Sequence, residues 1–380
     1  MTLQSEWLST ELPAMEQALA ALVNINSFTD NPEGGRKVGS LLREVFAIEG
    51  LSAQSVASTR YADHLVFRST GAAGTAPIAL LGHLDTVFPP GKFEGYRIDG
   101  ELRRGPGVLD MKGGLVVIAW ALKAIARTIG LGKIAPLRIV VVADEEVGSP
   151  EGRPLIEREI LDARSCLVFE SGRSNDAIVT QRKGTGSITV TAQGKAAHAG
   201  NNHADGSNAI WALSRFVDQA QRLTDYPRGI TVNVGKISGG QGKNTVPDHA
   251  VADLDIRFGV KADAEWLVKE LQSAAESAAG DVKGTRLEVV RGPARLPMER
   301  TDASVALMNA YAQCARAHGL AADEAPRVGG GSDACTASAM GIPSIDALGP
   351  RGKGFHTVDE YIEVKTLVSR AQALADYLTK

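Results

Sequence analysis

Continuous apolar runs alternate with helix-like segments over the first half of the chain. Leu137–Ala143 is apolar and rich in β-branched residues, which is typical of a strand buried on both faces. Pro77–Gly82 and Cys166–Phe169 have the same character, and Leu115–Ile129, closed by Gly130, predicts a buried helix. Strands that alternate with helices in this way predict βα units around a largely parallel sheet.

The pattern changes from about Lys183 onwards. Three segments there alternate apolar and polar residues, namely Thr185–Thr191, Ile230–Ile237 and Ala252–Phe258. Such alternation indicates strands with one packed and one exposed face, as in antiparallel sheets. Two amphipathic helices and a last strand complete the order β-α-β-β-α-β, at Ser207–Leu223, Asp263–Ala279 and Arg286–Arg291. That order predicts a ferredoxin-like α+β unit.

The βα pattern returns after about Gly292, in a helix, a strand and a closing helix at 303–318, 344–348 and 364–378. A chain of 380 residues exceeds the usual size of a single core. We therefore predict an α/β catalytic domain in two parts, residues 1–182 and 293–380. Its mixed, largely parallel sheet is flanked by helices, and the ferredoxin-like domain at 183–292 is inserted into it.

Composition argues against several classes of partner. The net charge of −3 and the lack of a basic patch predict no nucleic-acid and no membrane partner. We expect neither a signal peptide nor a bilayer-spanning segment. Three widely spaced cysteines, Cys166, Cys314 and Cys335, imply no disulfide framework and predict a cytoplasmic protein. Cys166 remains an open alternative as a nucleophile, although its apolar strand favours an inert buried thiol.

Side chains with metal-binding and acid–base chemistry follow the predicted buried strands. In chain order, His83 and Asp85 follow the strand Pro77–Gly82. Glu145 and Glu146 follow the strand Leu137–Ala143, and Glu170 follows the strand Cys166–Phe169. Open α/β sheets place their active sites at the carboxyl ends of strands. Carboxylates packed this closely are costly unless a cation or a proton relieves them, and a solvated acidic turn is the alternative.

Two more residues extend this pattern. Asp110 would lie just before the buried helix, and His356 lies far along the chain in a glycine-rich segment. A histidine and an aspartate two residues apart, as in His83 and Asp85, fit a metal ligand whose imidazole is oriented by a carboxylate. Each residue alone is a weak signal, whereas the set together favours a metal site.

Seven segments together resemble the dizinc exopeptidase/deacylase family, and they occur in the family's order along nearly the whole chain. They are His83-Leu-Asp85, Asp110-Met-Lys-Gly-Gly114, Glu145-Glu146, Glu170, Gly194-Lys-Ala-Ala-His198-Ala-Gly200, Gly329-Gly-Gly-Ser-Asp333 and His356. The family includes glutamate carboxypeptidases of the carboxypeptidase G type, which the chain resembles most. It also includes tripeptidases, aminoacylases, acetylornithine deacetylases and succinyl-diaminopimelate desuccinylases.

The resemblance implies two Zn2+ ions per subunit, which Co2+ or Mn2+ can replace. Asp110 and a water molecule would bridge the two ions. His83 and Glu170 would complete the coordination of one ion, and Glu146 and His356 would complete that of the other. The family's cis peptide bond would fall between Asp110 and the next residue.

The resemblance also assigns catalytic roles. Glu145 would be the general base, with a third metal ligand or a salt-bridged loop acid as the alternatives. Asp85 would hydrogen-bond to His83. His198 would reach the active site of the partner subunit and stabilise the oxyanion of the tetrahedral intermediate.

Substrate contacts are assigned to the inserted domain and to the glycine block. Asn244 and Arg257 are expected to hold a substrate carboxylate, and Gly331 and Ser332 are expected to line the pocket. A surface ion pair with Asp253 or Asp255 is the alternative for Arg257. The other four histidines are expected at the surface: His64, His203, His249 and His318.

The expected activity is hydrolysis of the amide bond to a C-terminal amino acid, glutamate or a similar residue. The alternative within enzymes is an N-acyl-amino-acid deacylase, and the alternative in another class is an inactive binding dimer. The expected partners are a small peptide or N-acyl amino acid and a second copy of the chain, joined through the inserted lid and dimerisation domain.

Overall fold

The computed structural model describes residues 2–380, which form two compact units. Unit 1 contains the residues up to 181, 300–327 and 332–380, and unit 2 contains residues 182–299 and 328–331. The second unit therefore extends past the predicted boundary at 292, because the strand predicted to end at Arg291 continues to Arg295. Residues 328–331, which include the three glycines of the block Gly329–Asp333, also belong to unit 2.

Ten α-helices lie within the described residues: α1 (Leu3–Leu8), α2 (Leu12–Val23), α3 (Pro32–Val45), α4 (Lys112–Thr128), α5 (Gly152–Glu159), α6 (Ala209–Gln221), α7 (Lys261–Asp281), α8 (Asp302–Ala317), α9 (Ala334–Ala339) and α10 (Thr366–Leu378). The strands are β1 (Leu51–Val56), β2 (His64–Ser69), β3 (Ile78–His83), β4 (Arg97–Asp99), β5 (Leu102–Arg104), β6 (Leu137–Val142), β7 (Ser165–Val168), β8 (Gly184–Gln193), β9 (Ala197–His198), β10 (Thr231–Gly239), β11 (Thr245–Val246), β12 (His249–Phe258), β13 (Arg286–Arg295), β14 (Ser344–Ile345), β15 (Gly352–Lys353) and β16 (Tyr361–Glu363).

Unit 1 is built on a six-stranded sheet with the order β1-β2-β6-β3-β7-β14. The pairs β6–β3, β3–β7 and β7–β14 are parallel, whereas β1 and β2 join in antiparallel fashion. The predicted mixed and largely parallel sheet with flanking helices is confirmed. Its central strand β3 is buried at all six positions, which explains why its sequence does not alternate.

Helix α4 is the central helix of unit 1. It is buried along most of its length and packs against α1, α2 and α10. A helix that is apolar on nearly all sides is expected to lie inside a core, because it has no polar face to present to water. A smaller antiparallel sheet, β15-β16-β5-β4, also belongs to unit 1.

Unit 2 contains a four-stranded antiparallel sheet with the order β10-β12-β8-β13. Helices α6 and α7 pack against this sheet, so the connectivity β8-α6-β10-β12-α7-β13 is that of a ferredoxin-like fold. Ile188, Val190 and Ala192 alternate into the core, where they meet Leu213 and Phe216 of α6. The alternation read from the sequence therefore identified the packed face.

Two features of unit 1 differ from the sequence prediction. His64 was expected at the surface, but it is buried and its Nδ1 accepts a hydrogen bond of 3.1 Å from the Ala143 amide. The strand predicted at 344–348 is limited to Ser344–Ile345. Within residues 2–380, no helix combines the length and the apolar character needed to cross a bilayer.

Candidate metal centre

Parallel pairing aligns the ends of three strands in unit 1. The register pairs His83 of β3 with Val142 of β6, and Leu81 of β3 with Val168 of β7. The segments that follow β6 and β7 therefore leave the sheet beside His83. Glu145, Glu146 and Glu170 lie on these segments, at the carboxyl edge where open sheets hold their sites.

The chain turns immediately after β6. Residues Glu145–Val147 form one turn of 3-10 helix, which ends at Gly148 with a positive φ of 95°. Neighbouring side chains on a strand point to opposite faces, but in this turn both glutamates approach the cluster around His83. The turn is held by the Asp85 carboxylate, which accepts the amide hydrogens of Glu145 and Glu146 at 3.2 Å each.

The Asp110 carboxylate faces two imidazoles. Its Oδ1 lies 3.3 Å from His83 Nε2, and its Oδ2 lies 3.3 Å from His356 Nε2. Glu170 Oε2 lies 3.7 Å from His83 Nε2, and Glu146 Oε2 lies 3.0 Å from His356 Nε2. Each imidazole therefore has its own glutamate, and the two groups share one aspartate.

Glu145 also belongs to this cluster. One of its carboxylate oxygens lies within 4.8 Å of ligand atoms of both His83 and Glu170, and the same spacing joins His83, Asp110 and Glu146. This position of Glu145 is compatible with both expected roles, that of a general base and that of a third metal ligand.

The donor atoms fit divalent cations because the cluster concentrates negative charge. Burial raises the pKa of Glu170 well above its usual range, and it raises the pKa of Glu146 to about 7. Hydrogen bonds to Asp110 and Glu146 raise the pKa of His356 to about 10. Burial alone would raise the pKa of Asp110, but the hydrogen bonds from both imidazoles hold it below its usual range. Cations at these donors would relieve the repulsion among the carboxylates.

Asp85 holds several groups in place besides the His83 imidazole. The His83 Nδ1 lies 3.0 Å from the Asp85 backbone oxygen and 3.4 Å from the Asp85 carboxylate. The carboxylate also accepts a hydrogen bond of 2.7 Å from the Thr29 hydroxyl, in addition to the two amides after β6. Asp85 therefore fixes the imidazole, whose Nε2 faces the cluster, and joins the ends of β3 and β6.

Glu360 holds the segment that carries Asp110, a role that the sequence analysis missed. Its buried carboxylate accepts amide hydrogens from Gly107, Leu109 and Asp110 at 3.1, 2.8 and 3.0 Å. Burial, together with the nearby charge of Asp110, raises the pKa of Glu360 to about 8. The available signal was an acidic residue four positions after His356, which carries little information without the fold.

Close packing explains the glycines after Asp110. The peptide between Asp110 and Met111 is cis, and α4 begins at Lys112. A Cβ at Gly114 would lie 2.0 Å from the Phe169 carbonyl oxygen, which belongs to the residue before Glu170. Only glycine allows the start of this helix to approach the end of β7 so closely.

Two predicted site residues lie together in unit 2. His198 and Asn244 are exposed, and the Ala199 amide donates to the Asn244 carbonyl at 2.9 Å. The Nδ1 of His198 accepts amide hydrogens from Gly200 and Asn201, both at 3.1 Å. Because Nδ1 is an acceptor, Nε2 carries the hydrogen in the neutral ring.

The remaining predicted residues have other partners. Arg257 donates to both carboxylate oxygens of Asp255, at 2.7 and 2.9 Å, which realises the alternative of a surface ion pair. Gly331 lies against the Arg295 side chain within unit 2. Ser332 is buried in unit 1, where its hydroxyl donates to Asp346 at 2.6 Å, so this hydroxyl is already used within the protein.

Comparison with known proteins places these observations in a family. The family model described as peptidase family M20/M25/M40 matches residues 79–380. The chain belongs to this peptidase family. It is therefore a hydrolase of a metallopeptidase and amidohydrolase family, as the sequence analysis expected.

Individual known proteins are similar along nearly the full chain. Carboxypeptidase G2 from Pseudomonas sp. (strain RS-16) is 29% identical, over 95% of this chain and 87% of that protein. Acetylornithine deacetylase from Myxococcus xanthus is 30% identical, over 97% of each. The crystal structure of aminopeptidase PepT from Bacillus cereus ATCC 10987 shares the fold, with a TM-score of 0.83, 21% identity and coverage of 97% and 98%.

Replacing Glu360 with glutamine is expected to weaken metal binding at the cluster around Asp110. Glutamine keeps one acceptor oxygen but places an NH2 group against an amide hydrogen, which loosens the segment that carries Asp110. The expected loss of metal affinity is about 10–100-fold, as for other residues that support metal ligands. Titration against a chromophoric chelator measures it, with circular dichroism as the check on folding.

The matched control is Asp359→Asn, a substitution at the exposed neighbouring acid. It should leave the metal affinity unchanged. Metal bound as tightly by Glu360→Gln as by the wild-type protein would contradict the role given to Glu360.

Proposed function

We propose that the protein is a dizinc hydrolase that cleaves the amide bond to a C-terminal amino acid, glutamate or a similar residue. The observation that carries this proposal is the Asp110 carboxylate, whose two oxygens each lie 3.3 Å from a different imidazole. This arrangement suits a carboxylate that bridges two ions. Similarity to carboxypeptidase G2 along 95% of the chain supports the choice of reaction.

The proposed ligands divide into two sets. His83 and Glu170 would hold one zinc ion, Glu146 and His356 would hold the other, and Asp110 would belong to both. When bound, a pair of zinc ions acidifies water and polarises the carbonyl of the scissile amide. Imidazole and carboxylate donors suit zinc, and Co2+ or Mn2+ can take its place at the same donors.

Glu145 is proposed to move the proton. Its carboxylate would accept a proton from the attacking water and donate it to the nitrogen of the leaving amino acid, because an amine leaves only after protonation. The Glu145 amide donates to Asp85, so the backbone that carries this base is fixed to the segment that carries His83. Asp85 would act by holding the His83 imidazole and the Glu145 backbone in position.

Unit 2 is proposed to supply the oxyanion donor and the substrate carboxylate site. The Nε2 hydrogen of His198 would donate to the developing oxyanion in the active site of the partner subunit. Arg257 and Asn244 would bind the carboxylate next to the scissile amide, with Gly331 beside them. The substrate carboxylate would then compete with Asp255 for the Arg257 guanidinium.

We also propose a homodimer formed through unit 2. Strands β10 and β13 are the edges of its sheet, and they expose Ile237 and Val290 to 56% and 49%. Unpaired edges with apolar side chains favour pairing with a second chain. A cytoplasmic location is proposed because the three cysteines are buried free thiols, and cell fractionation tests it.

The second candidate function is N-acyl-amino-acid deacylation. It is supported by the 30% identity with acetylornithine deacetylase over 97% of both chains. The same proposed ligands and base would serve both reactions, because each one hydrolyses an amide next to a carboxylate. An inactive binding dimer is disfavoured, since every proposed ligand position has a metal-binding side chain.

Exchanging each of the adjacent glutamates for glutamine separates their roles. Glu145→Gln should retain two zinc ions per subunit, while kcat falls by about 100–10,000-fold because the proton acceptor is lost. Glu146→Gln should lose one of the two ions. Zinc content by mass spectrometry and steady-state kinetics measure both. Loss of zinc in Glu145→Gln would favour the third-ligand alternative, and near-normal turnover would rule out the base.

A substrate panel distinguishes the two activities. One set contains peptides and pteroyl-type amides with C-terminal glutamate or aspartate, and the other contains N-acetyl and N-succinyl amino acids. The first set should show the higher kcat/KM. Prior removal of metal with a chelator should abolish all turnover, and added zinc should restore it. A preference for the second set would transfer the proposal to deacylation.

The dimer is tested by light scattering. We expect twice the chain mass of 40.0 kDa. An Ile237→Arg substitution should reduce association, since it places a charge on the proposed edge contact. A fully active monomer would remove both the dimer and the role of His198 across it.

A further inference from the structure

A cavity of about 190 Å3 lies in unit 1 beside the proposed metal ligands. Three of its lining residues are chain neighbours of ligands, namely Leu109 before Asp110, Ser171 after Glu170 and Phe355 before His356. The cavity therefore adjoins the segments that carry both metal-ligand sets. A group that occupied it would lie next to the reacting centre.

The lining of this cavity is cationic and polar. It includes Arg173, Lys353 and the hydroxyl-bearing residues Ser171 and Ser174, and it includes no aspartate or glutamate. Lys353 is exposed and makes no ion pair with any residue in 2–380. The charged side chains that line the cavity are therefore positive, whereas the adjoining cluster carries four carboxylates.

Ser171 gives an independent indication of a ligand. The residue is 8% exposed, and its Oγ is buried without a hydrogen-bond partner among the described residues. A buried hydroxyl without a partner costs free energy, which an anion oxygen would recover if the Ser171 side chain turned toward the cavity. A small anion with several acceptor oxygens would offer a partner to both this hydroxyl and the Lys353 ammonium.

We propose that this cavity is an anion subsite, formed by Ser171, Arg173, Ser174 and Lys353, that binds a second carboxylate of the substrate. The first carboxylate is the one next to the scissile amide. The proposal deepens the hydrolase function proposed above and rests on it. It assigns the selection of acidic substrates to unit 1. The carboxyl group is the ordinary anionic group of peptides and acyl amino acids, so a carboxylate is the expected occupant.

The second carboxylate has two sources. It belongs either to the side chain of the leaving amino acid or to the acyl part of the substrate. Two matched pairs separate these sources: peptides that end in glutamate or glutamine with the same acyl group, and succinyl or succinamoyl amides of the same amino acid. The pair with the larger ratio of kcat/KM between its acidic and neutral members identifies the source.

Lys353→Met is the principal test because the side chain is exposed and its loss should leave the fold intact. It should reduce the acid-to-neutral ratio by about tenfold, mainly through KM, since the charge lies away from the reacting atoms. Ser171→Ala should reduce the ratio in the same direction. Lys133→Met removes an exposed charge elsewhere on unit 1 and should leave the ratio unchanged.

Binding of glutarate, compared with uncharged glutaramide, tests the subsite separately from catalysis. Calorimetry on the zinc-loaded protein should show glutarate binding that weakens in Lys353→Met and not in Lys133→Met. Equal binding by both variants would overturn the anion subsite even if the enzyme is active. If no substrate is hydrolysed while glutarate binding depends on Lys353, the hydrolase proposal fails and the subsite stands.

Discussion

The parallel register of β3 with its two neighbours is the constraint on which the site depends. His83 ends the central strand, and the segments after β6 and β7 deliver the glutamates on either side of it. A slip of one residue in either pairing would move the side chains of that strand to the opposite face. The apolar, fully buried sequence of β3 opposes such a slip because both faces must fit the core.

This register concentrates carboxylates at one edge, and the surrounding structure holds them there. Asp85 binds the backbone of the turn after β6, and Glu360 binds the backbone before Asp110. Both are buried acids that accept amide hydrogens, so each gains several hydrogen bonds in return for its desolvation. The candidate ligands are therefore positioned through their main chain as well as through side-chain contacts.

Much of the fold could be predicted from the sequence because its segments have strong patterns. The apolar runs before His83 and Glu145 indicated parallel strands, and the alternation after Lys183 indicated the antiparallel sheet of unit 2. The candidate ligands followed from their places at strand ends. Glu360 and Thr29 could not be found this way, because their partners are backbone amides or side chains distant in sequence, which leave no local pattern. His64 was misplaced for the same reason, since its partner is the amide of Ala143, which directly follows the neighbouring strand β6.

The turn between His356 and Glu360 is subject to two demands at once. One end presents an imidazole to Asp110 and Glu146, and the other end presents a carboxylate to the amides before Asp110. The three residues between them, Thr357 to Asp359, are exposed. Relatives with this arrangement are therefore expected to keep the length of the turn, since one inserted or deleted residue would displace either the imidazole or the carboxylate.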